Sequence, residues 1–180
     1  MSCLRFSTEI SKACRDAQPG VTELFIADYT DIASFSVIAD GTTLSGLTCS
    51  GTTGQMDVFW RVKLNKQVGA FIDMPTINIM NGVAVSKPKV SGAIQGLSAS
   101  TIGFYEQLMS SDVVVVAKTI NGDLFIIGAH NGLSMSAGGL GTEAAVDGKI
   151  GVTTFELDGI EPKPFYIVPA SLNFEATYVA

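Results

Sequence analysis

The stretch Ser98–Val116 reads SASTIGFYEQLMSSDVVVV and decides the fold, because it joins a helix pattern directly to a strand pattern. Its last four residues, Val113–Val116, are all β-branched, which is typical of a strand buried on both faces. A serine, Ser98 or Ser100, can cap the first turn of the preceding helix. We therefore expect one helix followed by a central strand, which we assign to Asp112–Val116.

The predicted helix carries one apolar stripe. Ile102, Tyr105 and Met109 lie at positions i, i+3 and i+7, with Leu108 beside them. Side chains at this spacing share a helix face. We expect the stripe to pack on the sheet.

The residues after the central strand predict two more strands. Asn121-Gly122 favours a tight turn, so Asp123–Ala129 is expected to be a second strand that ends before Asn131-Gly132. Gly148–Asp158 is expected to be the third. Between them, the glycine-rich stretch Ala137–Thr142 resembles a phosphate loop but lacks the Gly-Lys-Ser/Thr ending and a following helix pattern, which predicts a loop between strands.

The first third of the chain also reads as short strands. Val21–Ala27 and Ser34–Ala39 are the first two, and Asp40–Gly54 predicts short strands joined by Gly-, Ser- and Thr-rich loops. Along Met56–Leu64, every second residue is apolar, which places these residues on one face of a strand. This strict alternation is the strongest strand pattern in the chain.

A hairpin is predicted around Asn81-Gly82, with Phe71–Met80 and Val83–Leu97 as its arms. Pro75 and Pro88 interrupt the arms. Proline cannot donate to a strand ladder, so we expect the hairpin to lie at least partly at a sheet edge.

Together these patterns predict a mainly β fold, an antiparallel β-sandwich or barrel with one flanking α-helix. Residues 21–168 form the predicted β domain. Residues 1–20 are expected to be an N-terminal arm, and residues 169–180 a C-terminal extension.

The composition argues against nucleic-acid binding. The chain has 17 acidic and 11 basic residues, a net charge of -6, and no Lys/Arg cluster that could displace phosphate counterions. Hydrophobic residues make up 47% and charged residues 16%, which is little charge for a monomer's surface. Two interpretations stay open: a subunit interface, or a large core with many small residues.

Cysteine usage and hydropathy exclude several classes of protein. Cys3, Cys14 and Cys49 are odd in number and have no paired spacing, which argues against a disulfide scaffold or a structural zinc site. We find no signal-peptide pattern and no apolar run near the ~18 residues of a membrane helix. We expect synthesis in a cytoplasm, no cofactor, no metal and no membrane contact.

No catalytic constellation emerges from the sequence. His130 is the only histidine, and a catalytic triad would need a nucleophile and an orienting acid beside it. Its place next to Asn131-Gly132 predicts an exposed loop residue. Asp28 and Asp31 do not have calcium-loop spacing and read as a turn. We expect no enzyme activity.

The succession from Ser98 to Val168 resembles the tail tube proteins of phages that infect Bacteroidetes-type hosts. The matching residues are Leu124–Gly128, Asn131-Gly132-Leu133, Gly138–Gly141 and Gly159–Phe165, with a weaker match at Ala27–Ile32. The resemblance implies a structural virion protein that forms six-fold rings, which stack into a hollow tube for genome delivery. Its implied partners are copies of itself and other tail proteins such as a terminator, baseplate or sheath, and DNA passes through the lumen without specific binding.

Other functions remain open at this point. The chain could form a specialised terminator, neck or adaptor ring instead of the main tube. It could be a carbohydrate-binding β-sandwich, although it has a single tryptophan. A hydrolase that uses His130 is a third reading.

Ring contacts are expected on the alternating strands, with Val83, Val85, Phe59 and Trp60 as candidates. Phe59 and Trp60 are neighbours on one strand and must face opposite sides. One of the two is therefore expected in the core and the other at a subunit contact.

The lumen of such a tube is expected to be acidic, because a channel that conducts DNA must not bind it. Asp57 and Asp73 are the candidate lumen residues. Lysines such as Lys63, Lys66 and Lys87 are expected on outer or inter-ring surfaces.

Overall fold

The computed structural model describes residues 20–49, 59–64, 70–73, 76–78, 83–95, 98–141, 152–169 and 172. They contain one α-helix, α1 (Ala99–Ser110), and a 3-10 turn at Tyr29–Asp31. The strands are β1 (Val21–Asp28), β2 (Ile32–Val37), β3 (Leu44–Cys49), β4 (Trp60–Lys63), β5 (Ala70–Asp73), β6 (Thr76–Asn78), β7 (Val83–Val85), β8 (Pro88–Gln95), β9 (Val113–Thr119), β10 (Leu124–Ile127), β11 (Ser134–Gly141), β12 (Val152–Asp158) and β13 (Tyr166–Val168).

These strands form two larger sheets and two hairpins, and all strand pairs are antiparallel. The five-stranded sheet has the order β13-β10-β9-β1-β4, and the four-stranded sheet the order β11-β12-β8-β5. The hairpins are β2-β3 and β6-β7. The predicted mainly β, sandwich-like fold is confirmed. A closed barrel is not, because the described strands leave β13 and β4 at opposite ends of the larger sheet.

Strand β9 lies at the centre of the larger sheet with both faces buried. Val114 and Val116 belong to one apolar cluster, whereas Val113, Val115 and Ala117 belong to a second cluster on the other face. All five are at most 4% exposed. This confirms the central strand predicted from the β-branched run, since successive side chains of a strand point to opposite faces.

Each face of the central sheet has its own cover. The β2-β3 hairpin covers the first face with Leu44 and Cys49. The four-stranded sheet covers the second face with Val90, Phe155 and Leu157. The molecule is thus layered as hairpin, central sheet, and second sheet with the helix.

The tight turn predicted at Asn121-Gly122 is present after β9. Gly122 has a φ of +91°, in the left-handed region that favours glycine, and its N–H donates to the Thr119 carbonyl at 3.0 Å. Thr119 and Asp123 close the loop, because the N–H of Thr119 donates to the Asp123 carbonyl at 2.9 Å. Residues 120–122 therefore form a three-residue hairpin loop.

The helix cap is confirmed, but the predicted apolar stripe is wrong for two of its members. Ser98 caps α1 by accepting a hydrogen bond from the N–H of Thr101 at 3.2 Å. Ile102 and Met109 are 41% and 61% exposed. Leu108 is instead buried in the second cluster, and Phe104, one turn earlier, packs against it.

The buried face of α1 is therefore turned by roughly 100°, one residue step of a helix, from the face that the stripe indicated. Phe104 stacks edge-on against Phe155 of β12 at 6.1 Å between ring centroids, which fixes this orientation. Tyr105, at the border of the two faces, is half-buried. The helix has apolar residues on two neighbouring faces, and its sequence alone does not specify which of the two faces packs on the sheet.

The glycine-rich stretch predicted as a loop is a strand. Gly138, Gly139 and Gly141 lie in β11 and pair with Phe155, Thr154 and Val152 of β12. A Cβ on Gly138 would lie 2.3 Å from Met135 Cε and 2.7 Å from the Thr154 carbonyl oxygen. Glycine is needed at this position because neighbouring groups approach the backbone too closely for a side chain.

The predicted hairpin around Asn81-Gly82 is present, with its arms divided. Its tip is the β6-β7 pair, in which Asn78 lies opposite Val83, and its base is β5 paired with β8. Asn81-Gly82 itself lies outside the described residues. β5 is an outer strand, as expected, whereas β8 lies between β5 and β12 and tolerates Pro88 because proline is its first residue.

We predict that truncating Leu108 and Met109 will separate the buried from the exposed face of the helix. Leu108→Ala should lower the free energy of unfolding by about 3 kcal/mol, as expected for a large-to-small change in a core. Met109→Ala should change it by no more than roughly 0.5 kcal/mol, as at an exposed site. Urea unfolding measures both, and equal losses would contradict the orientation of α1.

We also predict that Gly138→Ala will destabilise the fold by about 1–3 kcal/mol, because the added methyl overpacks the β11-β12 ladder. Gly139→Ala is the matched control, since its Cβ would meet only the Thr154 hydroxyl at 3.8 Å. Thermal unfolding of the two variants provides the comparison. If Gly138→Ala were as stable as the control, the close packing over β11 would be disproved.

Candidate functional site

The outer strands of the two sheets are the first candidate surface, because a strand with an unpaired side can accept another strand. The outer strands are β13 and β4 in the larger sheet, and β11 and β5 in the smaller one. β13 is partly covered, since the N–H of Ile167 donates to the Thr42 carbonyl at 2.8 Å.

Strand β11 is the longest of these outer strands. Its eight residues, SMSAGGLG, include no charge and no proline. Most of them are exposed, including Leu140 at 41%. No described strand lies on its outer side. Among the described residues, β11 is protected by contacts with α1 and by a bulge between Met135 and Ala137, where the register with β12 shifts.

Strand β4 is shorter and charged. Arg61 forms an ion pair with Glu23 of β1 at 2.5 Å between Nη2 and Oε1, and Lys63 is exposed. Charged residues on an edge strand discourage pairing with another chain. Trp60, at the start of the strand, is 63% exposed and is the largest exposed aromatic surface among the described residues.

The predicted ring-contact residues fall into different environments. Phe59 is 4% exposed and belongs to the first core cluster, so it is no longer a candidate for a ring contact. Trp60 is the residue of the pair that faces solvent. Val83 and Val85 bound β7 in the β6-β7 hairpin, and Val85 is half-buried. The structure does not bring the hairpin together with Trp60 in one described sheet.

The structure describes one of the two predicted lumen residues. Asp57 lies outside the described residues. Asp73 ends β5, where it lies opposite Pro88 at the outer edge of the smaller sheet. Of the lysines expected on outer surfaces, Lys63 and Lys87 are exposed, and Lys66 lies outside the described residues.

A buried carboxylate, Glu161, was not recognised from the sequence. It is 1% exposed. Its Oε1 accepts the N–H of Asn131 at 2.9 Å, and its Oε2 accepts the N–H of His130 at 3.3 Å. Its backbone exchanges two 2.9 Å hydrogen bonds with Ser86. Glu161 therefore connects the turn after β10 to the segment before β8.

The loop around Glu161 is held by further contacts. The Asn131 amide donates to the Ile160 carbonyl at 2.5 Å, and the Tyr29 hydroxyl donates to the His130 carbonyl at 2.5 Å. The His130 ring contacts the edge of Phe35 at 4.8 Å between centroids, and its Nε2 shares a 2.6 Å hydrogen bond with the Tyr166 hydroxyl. The sequence offered no signal for this network beyond the match at Gly159–Phe165.

This cluster has the residue types of an active site but a different geometry. The Glu161 carboxylate bonds backbone amides and not the imidazole, so it does not orient His130 as the acid of a triad would. Burial, followed by the charge of Glu161, raises the pKa of Tyr166. A raised pKa is the opposite of what activates a phenol as a nucleophile. The arrangement is suited to holding a loop.

The described part of the chain has no candidate metal site and no candidate membrane-spanning helix. No group of three or more His, Cys, Asp or Glu side chains there could hold a metal ion. The described residues also include no helix with the length and apolar character needed to cross a membrane.

Comparisons of the chain with protein-family models, with curated proteins and with solved structures found no match.

We predict that Glu161 makes the stability of the protein depend on pH. Burial raises its pKa above the usual 4.5, although the amides of Asn131 and His130 and the charge of His130 act in the opposite direction. A raised folded-state pKa means that protonation favours the folded state. This stabilisation is complete below about pH 4.5 and is lost as the pH rises through the folded-state pKa.

The Glu161→Gln variant isolates this effect, because its carboxamide does not titrate. The stability of the natural protein relative to this variant should increase as the pH is lowered from 7 to 4.5, in urea titrations at each pH. A relative stability that falls on acidification would show that the carboxylate is stabilised as the anion.

Proposed function

We propose that the chain is a structural subunit that associates with copies of itself into rings, and that these rings stack into a hollow tube of the kind found in phage tails. The observation that carries this proposal is the outer edge of β11, eight residues long without charge or proline. Soluble monomers usually protect such an edge. In a closed ring the neighbouring subunit would pair with it and leave no edge open.

The exposed apolar residues support the same conclusion. Eight large hydrophobic side chains among the described residues are at least 40% exposed: Ile38, Trp60, Ile102, Met109, Ile120, Leu140, Ile160 and Ile167. They lie on both larger sheets, on α1 and in connecting loops. A subunit that contacts neighbours beside, above and below it would cover apolar groups on several faces.

The charge of the chain fits a channel for DNA. Its net charge is -6, and a ring would repeat that charge around a narrow lumen. A lumen with negative potential would repel the phosphate backbone and allow DNA to pass without specific binding. Asp73, at the edge of the smaller sheet, remains a candidate for the lumen face.

We predict that the purified protein forms rings. Sedimentation velocity over a range of concentrations should show a discrete oligomer, and negative-stain electron micrographs should show annular particles or tubes. Tubes would identify the main tail tube, and single rings would identify a terminator, neck or adaptor. A well-folded monomer at every concentration would refute the proposal.

A pair of variants tests the role of β11. Leu140→Lys introduces a charge on the open edge, so the oligomer should dissociate while the subunit stays folded. Asn121→Lys is the control, because Asn121 is also exposed but lies in the turn after β9 and is not one of the exposed apolar side chains. Loss of assembly in both variants, or in neither, would remove β11 from the interface.

A further inference from the structure

A groove of about 250 Å³ lies between the end of β1, the edge strand β4 and the helix α1. Ile26 and Leu108 line it and are almost fully buried, at 3% and 2% exposed. Phe104 and Trp60 also line the groove, and Trp60 is largely exposed. The groove is therefore apolar at its base and has an aromatic ring on one side.

Polar groups from two elements complete the lining. Asp28 and Asp31 come from the end of β1 and the following turn, Gln107 comes from α1, and Ser111 is the residue directly after α1. Asp28 accepts hydrogen bonds from the N–H and the hydroxyl of Thr30 at 2.9 and 2.7 Å. Both bonds lower the pKa of Asp28, and the bond from the Thr30 hydroxyl has the larger effect. The Asp28 carboxylate is therefore ionised at neutral pH.

This combination suits a lysine or arginine side chain. Both residues have an apolar stem that can lie on a hydrophobic base, and a charged head that carboxylates attract. An aromatic ring such as that of Trp60 adds a cation–π contact. The occupant of the groove is thus expected to be a basic segment.

The N-terminal 19 residues have the required charge. They contain Arg5, Lys12 and Arg15 against Glu9 and Asp16, a net charge of 3 - 2 = +1. The other 161 residues contain 8 basic and 15 acidic residues, a net charge of -7. Two of the three arginines of the chain thus lie in this segment, and the third, Arg61, is paired with Glu23.

The segment is also long enough to reach the groove. It joins the described residues at Gly20, directly before β1, and the groove lies at the other end of that eight-residue strand. Eight residues of strand span about 26 Å. A segment of this length can extend up to roughly 60 Å, so it can reach the groove of its own subunit or of a neighbour.

We propose that residues 1–19 bind in this groove, with a basic side chain against Trp60 and its charge beside Asp28 and Asp31. The interaction concerns a different surface from the β11 edge and does not depend on ring formation.

Trp60 provides a direct measurement, because it is the only tryptophan of the chain. A full-length variant with Arg5→Gln, Lys12→Gln and Arg15→Gln should show stronger acrylamide quenching of Trp60 and a red-shifted emission. Salt at 1 M, which shortens electrostatic range to about 3 Å, should change the natural protein in the same direction. The control variant Lys66→Gln/Lys87→Gln/Lys149→Gln removes the same charge elsewhere and should leave the emission unchanged.

A carbodiimide crosslink provides the second measurement without altering the sequence. The reagent condenses the Lys12 amine with a nearby carboxylate to form an amide with loss of water, and mass spectrometry identifies the joined peptides. We expect Lys12 linked to Asp28 or Asp31. A mixture of isotopically light and heavy protein shows whether the link joins one copy or two, and either arrangement supports the proposal.

The proposal requires both results. It is overturned if Lys12 links only to other carboxylates or to none. It is equally overturned if the triple variant and the control give the same quenching of Trp60.

Discussion

Strand β9 has to exclude water from two faces at once, and the rest of the fold follows from this constraint. Five consecutive residues from Val113 to Ala117 are almost completely buried. Apolar burial contributes roughly 25 cal/mol per Å², so a strand of this composition is stable only when both faces are covered. The β2-β3 hairpin covers one face, and the second sheet covers the other with the helix.

Layering covers the faces of the sheets, but it does not cover the edges of their outer strands. The larger sheet uses a charged strand at one end and contacts from Thr42 and Thr43 at the other. The smaller sheet ends in β11, which carries no charge and has no described strand on its outer side. An unpaired edge of this kind offers free backbone hydrogen-bonding groups, which is why assembly with further copies is the function that we propose.

The sequence predicted the elements whose signals are local. The β-branched run, the Ser98 cap and the Asn121-Gly122 turn each act through neighbouring residues, and all three are confirmed. Sequence reasoning failed where distant packing decides. The buried face of α1 depends on Phe155, more than forty residues away, and β11 is a strand despite glycines that disfavour strands.

The loop network around Glu161 could not be predicted for a similar reason. Its carboxylate bonds the amides of His130 and Asn131, about thirty residues earlier, and its backbone pairs with Ser86, still further away. Nothing in the local sequence distinguishes this glutamate from a solvated one. Trp60 was recognised as a contact candidate because alternation along a strand is a local signal.

Amide hydrogen exchange, followed by mass spectrometry at low and high protein concentration, tests the central claim most directly. We expect the amides of β9 to be protected at both concentrations, since the strand is fixed inside each subunit. The amides of β11 should become protected only at the concentration where the protein assembles. Fast exchange in β9, or exchange in β11 that is the same at both concentrations, would contradict a rigid two-faced sheet whose open edge forms the subunit contact.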